Sequence, residues 1–244
     1  MVGSSDRPTP KRSTALWLAI GAMAVVLAWI AIDLYGPRPT DIRSFDPEAV
    51  GRLETAMWRS YYDREKLRLF TQLAELMRTQ YRFPFLRSNV AAYQAAKAAF
   101  VFKEGLNRAD YEKALPNLVR FYTAIRRVSN RLFDANRAAH LELEWWIIHR
   151  ERASHPLIDL DQALADLPAE VYGVPVELLM EHARLRAEAM LIRDAKAEAG
   201  GLTAEDWVRI EELLISSWQS LWKGVNSPLI PTSNVNGGNE YKKE

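Results

Sequence analysis

The chain has 244 residues, 48% hydrophobic and 26% charged, which is enough apolar material for one well-buried domain with appendages and too much for wholesale disorder. Its 32 basic and 31 acidic side chains leave a net charge of +1, so no field favours nucleic acid as a partner. Cysteine is absent, which excludes disulfides, thiolate metal sites and a cysteine nucleophile.

Residues 1–13 read as a polar leader carrying Arg7, Lys11 and Arg12. Residues 14–35 follow as TALWLAIGAMAVVLAWIAIDLY, with no charge or proline from Ala15 to Ile32. That is close to the ~20 apolar residues a helix needs to cross a bilayer. The apolar core of a cleavable signal peptide is shorter, about 7–15 residues, and ends at a small-x-small site. Here the run continues through Trp29, Ile30 and Ile32, so an uncleaved anchor is expected, with the lipid bilayer as the first partner. Trp17, Trp29 and Tyr35 suit the two water–lipid interfaces. The basic leader faces a mixed segment with Asp33, Arg38, Asp41, Arg43 and Asp46. This bias puts the N-terminus in the cytoplasm and the body beyond an inner, cell membrane, in the periplasm.

Residues 36–45, with two prolines, read as a linker, and residues 46–225 as one helical domain. Asp46-Pro47-Glu48 starts a helix, with Asp46 as cap and Pro47 at the first helical position. The apolar positions Val50, Leu53, Met57 and Tyr61 fall out of phase with Leu69, Phe70, Leu73, Leu76 and Met77, so a break is expected near Asp63. The second piece ends at Arg82-Phe83-Pro84. A helix over 86–103 stops at Gly105, a short segment covers 108–115, and one long helix is expected over 117–153, closed by His155-Pro156. Further helices span 158–171, Pro175 to Gly200-Gly201, and Thr203 to about Lys223, the last opening on TAED as a capping box. Residues 226–244 lack periodicity and read as a disordered tail. The expected fold class is all-α: one N-terminal transmembrane helix, then an irregular bundle of about six helices.

The stretch HLELEWWIIHRE, His140–Glu151, carries the densest chemistry. Phe121, Ile125, Val128, Leu132, Ala135 and Ala139 define one core face, which Leu143 and Trp146 continue. From Leu141 a second apolar strip appears, Leu141, Trp145 and Ile148. A helix apolar on two sides is either sandwiched between neighbours or offers one side to a partner. The three residues are therefore candidate partner-binding positions for another membrane protein.

His182 lies on the apolar stripe Leu178, Leu185, Ala189 and Ile192, where an imidazole must hydrogen-bond or ligate. Glu54 sits among Val50, Met57, Trp58 and Tyr61, and a buried carboxylate there calls for an arginine, a phenol or a metal. Arg184, Arg186 and Arg193 on a single helix make a Glu–Arg pair the economical answer. Alternatively Glu54, Glu142, His149, Glu181 and His182 converge as a carboxylate–histidine metal centre. Ferritin-like di-iron proteins build such centres with Glu-x-x-His pairs, which this chain lacks. Glu181 and His182, being adjacent, point about 100° apart on a helix.

No dinucleotide loop, Walker A loop, HExxH or GxSxG motif occurs, and WRSYYDREKLRLF alternates charge as a solvated face does. The leading expectation is thus non-enzymatic, a membrane-anchored interaction module serving as an accessory or assembly subunit. The alternative is a metal-dependent, di-iron-like oxidoreductase, or a haem or pigment binder using His149 or His182. Composition leaves the cofactor unknown.

Overall fold

The computed structural model describes residues 11–228; the expected leader up to residue 10 and the tail from residue 229 lie outside the described residues. The described chain is all-α. Helix α1, Lys11–Tyr35, contains one segment, Thr14–Tyr35, long and apolar enough to span a membrane. Its 22 residues rise about 33 Å, and its side chains are exposed from Thr14 to Trp29.

Nine α-helices follow among the described residues, more than the six expected. Helix α2, Pro47–Tyr62, starts as the sequence predicts, with the Asp46 carboxylate accepting from the Glu48 and Ala49 amides at 3.0 and 3.2 Å. The break near Asp63 is present: Arg64 takes a left-handed φ of 63° and α3, Lys66–Tyr81, turns back. Helix α4, Phe85–Glu104, ends at Gly105 as expected, and α5, Arg108–Tyr111, is one turn.

The long helix expected over 117–153 is two helices, α6 at Leu115–Val128 and α7 at Ala135–Arg150. The supposed linker causes the break. Thr40 pairs with Ser129 as an isolated parallel bridge, its amide donating to Val128 O at 2.6 Å while its carbonyl accepts from Asn130 N at 2.9 Å. Asp134 then caps α7, accepting from the Asn136 and Arg137 amides. Leu132, placed on the core face by a continuous helix, is 96% exposed in the connecting loop.

Helix α8 spans Leu157–Tyr172, α9 Met180–Glu198 and α10 Ala204–Asn226, the last opening on the expected Thr203–Asp206 capping box. Packing runs around a closed circuit: α2 on α3, α3 on α4, α4 on α6, α6 on α7, α7 on α8, α8 on α9, α9 on α10, and α10 back on α2. The closing seam needs Gly51, where a β-carbon would lie 2.7 Å from the Ile215 Cα.

Residues 36–45 are part of the body, not a free linker. Ile42 is fully buried and Phe45 is 7% exposed. The Phe45 ring meets Trp218 edge-on at 5.8 Å, and Arg43 Nη2 donates to Tyr172 O at 2.6 Å. Together these residues tie the segment after α1 to α8 and α10. Burying a side chain such as Ile42 is worth about 1.5–3 kcal/mol.

Candidate functional site: a cavity inside the helical ring

Because the helices touch in a circuit, their inward faces leave a space that no single layer of side chains fills. That space is a cavity of about 1000 Å³, lined by residues of all eight ring helices. Its walls are mainly apolar and aromatic, among them Trp58, Phe70, Leu73, Phe121 and Trp145. Exposed Tyr61, Lys66, Tyr93, Lys97 and Phe100 belong to the same lining, so it reaches solvent along α2, α3 and α4. Ligand sites of ~300–1,000 Å³ with a few convergent polar groups are the usual form of small-molecule pockets.

The polar groups are few and cross-linked between helices. Glu54 of α2 receives Arg186 Nη2 of α9 at 2.6 Å and Trp218 Nε1 of α10 at 2.6 Å, so both carboxylate oxygens are occupied. Glu142 of α7 accepts from the Tyr122 hydroxyl at 2.7 Å and from Trp146 Nε1 at 2.9 Å. Removal from bulk water pushes the Glu142 carboxyl up, against the opposing pull of Tyr122 and Arg186. Burial likewise holds the Tyr81 and Tyr122 phenols well above their ordinary value.

His182 places Nδ1 at 2.7 Å from Ser217 Oγ and 3.0 Å from Ser217 O. The Ser217 hydroxyl donates to His182 O at 2.9 Å, so Nδ1 carries the proton for the Ser217 carbonyl and Nε2 keeps its lone pair. Burial first, and the Arg186 charge second, push this imidazole down to about 3. Deeper still, Gln80 Nε2 donates to the Tyr172 hydroxyl at 3.1 Å.

Towards the opening, His149 Nε2 lies 3.0 Å from Asp194, which also receives Arg193 Nη1 at 2.7 Å. Burial alone would raise the Asp194 carboxyl, but the His149 and Arg193 hydrogen bonds outweigh it and hold it at about 2. The Tyr62 ring, 3.1 Å from the Arg193 guanidinium carbon, has its phenol pushed up to about 12 by burial. Arg150 is spent on structure, donating to Phe102 O and Gly105 O at the end of α4 while stacking on the Phe102 ring.

Four of the five residues named as a metal set, Glu54, Glu142, His149 and His182, line the cavity, whereas Glu181 is exposed and bound to Arg184 at 2.8 Å. Each of the four is engaged by a different neighbour. Among the described residues, no group of three or more His, Asp or Glu side chains stands close enough together to hold a metal ion. The Glu–Arg pair expected for Glu54 is present, with Arg186 as its partner.

The strip Leu141, Trp145 and Ile148 does not form an open face. Ile148 is buried at 8%, Trp145 lines the cavity, and Leu141 is half-buried over a shallow hollow beside Arg137 and His140. The cavity takes residues from both apolar strips of α7, Trp146 from the first and Trp145 from the second, while Leu143 and Ile148 are buried in the packing. The sequence offers Arg186 as one of three arginine partners for Glu54 and does not single it out. A signal was present: it follows His182 by four positions, on the same helical face.

No family model, no curated protein and no solved structure matches the chain.

Proposed function

We propose that the chain is a membrane-tethered binding protein for a largely apolar small molecule carried inside the helical ring. The observation that carries this reading is the ~1000 Å³ cavity at the centre of a closed circuit of eight helices, too large to be a packing defect. Binding needs no catalytic motif, in keeping with the sequence. The apolar Thr14–Tyr35 helix supports a single-pass anchor, and Arg7, Lys11 and Arg12 support a cytoplasmic N-terminus with the ring in the periplasm. In this arrangement the expected accessory role takes a narrower form: a tethered carrier that holds an apolar molecule beside a membrane partner.

Full-length protein in mild detergent, extracted with organic solvent and examined by mass spectrometry, tests the reading. A stoichiometric apolar compound is expected, reduced at least severalfold in Ala96→Trp, which thrusts an indole into the lining. Equal recovery of small molecules from the variant and the parent would remove the cavity as their site.

A further inference from the structure

Several polar groups of the cavity lining gather around one guanidinium. Arg186 reaches Glu54 from α2, lies 5.5 Å from the Trp145 ring of α7, and exerts its charge on Glu142, Tyr81, Tyr122 and His182. Residues of five helices, its own included, thus converge on one side chain. Yet Arg186 is incompletely used: its Nη2 is taken by Glu54, while its Nε is buried with no hydrogen-bond partner. A buried N–H donor left unpaired costs about 1–3 kcal/mol, more on a charged group, so the site rewards an acceptor that reaches it.

The charge balance limits what that acceptor can be. Arg186 and Glu54 cancel, His182 is neutral, and Glu142 adds an acid rather than a base. No spare positive charge stands at this depth to compensate a buried anion, and a cation would meet Arg186 itself. Resting on the carrier reading, we infer that the ligand's polar end is an uncharged oxygen acceptor, a ketone- or ester-type carbonyl, received by Arg186 Nε while the apolar remainder lies among Trp58, Trp145 and Phe121.

The test uses full-length protein released from detergent in native mass spectrometry, with three probes of one length: pentadecane, 2-pentadecanone and pentadecanoate. The ketone is expected to bind about tenfold more tightly than the alkane, as one hydrogen bond from a charged donor implies. Arg186→Lys keeps the ion pair with Glu54 but lacks Nε, so the ketone's advantage should shrink to about twofold or less while alkane binding persists. The double variant Glu54→Gln with Arg186→Gln, which leaves no unpaired charge, serves the same comparison if the lysine variant melts early. A ketone advantage undiminished in either variant, or a carboxylate that binds best, overturns the assignment of the head group and leaves the carrier reading standing. Failure of all three probes to bind the parent overturns both.

Discussion

Asp33, near the end of α1, and Arg87, in the first turn of α4, lock two helix ends together. The Asp33 carboxylate accepts from the Leu86 and Arg87 amides at 3.0 and 3.1 Å, while the Arg87 guanidinium donates back to the carbonyls of Asp33 and Gly36 at 3.0 and 2.8 Å. The exchange satisfies orphan amides at the start of one helix and orphan carbonyls at the end of the other. Pro84, the α4 cap residue, has no side-chain bond to offer, so the cap comes from Asp33, 53 residues before Leu86 in sequence. Asp33→Ala should cost about 1 kcal/mol, typical of a lost N-cap. It should also speed tryptic cleavage at Arg38 relative to cleavage within the ring. Unchanged cleavage and an unchanged melting temperature would show that the lock does not hold α1 to the body.

The ring closes where α2 meets α10, and Gly51 sets the distance. An added methyl would press on the Ile215 backbone at 2.7 Å, which can yield only by moving a helix. Gly51→Ala should therefore destabilise by about 1–3 kcal/mol, as overpacked cores do. Gly21→Ala in α1, where nothing lies within 4 Å, should leave thermal unfolding of the body unchanged. Comparing the two melts separates the close approach from the general effect of replacing a helical glycine.

Glu54 and Arg186 offer a direct measure of the polar cost of the cavity. Their side chains are 5% and 21% exposed and the oxygen–nitrogen distance is 2.6 Å. Glu54→Ala leaves a largely buried guanidinium without its counter-charge, and removing one partner of a buried pair costs about 3–5 kcal/mol, less where one member touches solvent as Arg186 does. Glu54→Leu with Arg186→Met should cost clearly less than Glu54→Ala alone, because no charge remains to be stranded. Denaturant titrations of the three proteins decide it. A double variant that loses as much stability as Glu54→Ala, or more, would mean that the two residues do not act as a pair.

What the sequence made legible were features written in local chemistry. The charge-free run to Ile32, the Asp46-Pro47 start, the break at Asp63, the stop at Gly105 and the Thr203 capping box each depend on neighbours within a few residues. The break between α6 and α7 was hidden because Thr40, about 90 residues upstream, takes the Val128 carbonyl. Circular closure was hidden for a related reason. A stave that faces a cavity shows the same apolar stripe as one that faces a solid core, and only the partners of α2 and α10 reveal which it is. So Glu54, Glu142 and His182 were recognisable as inward polar groups, while their assignment to Arg186, Tyr122 and Ser217 required the ring.

His182 gives the protein a pH dependence of calculable sign. Its folded-state value of about 3 lies below the ordinary 6.5, so between those limits the unfolded chain binds the extra proton. The stability contributed by the neutral buried imidazole is complete above pH 6.5 and is lost as pH falls towards 3, by about 2 kcal/mol between pH 6.5 and pH 5. Asp194, depressed from 3.8 to about 2, acts in the same direction but only below pH 4. Glu142 is shifted the other way, so its effect opposes that of His182 as its carboxyl gains a proton. Asparagine can keep the donor to the Ser217 carbonyl without the titrating ring. Unfolding free energies of His182→Asn should therefore fall less steeply than the parent's between pH 6.5 and 5, by close to one proton. In Glu142→Gln, which removes the opposing group, the fall should be steeper than in the parent. A His182→Asn profile parallel to the parent's would place the proton uptake elsewhere.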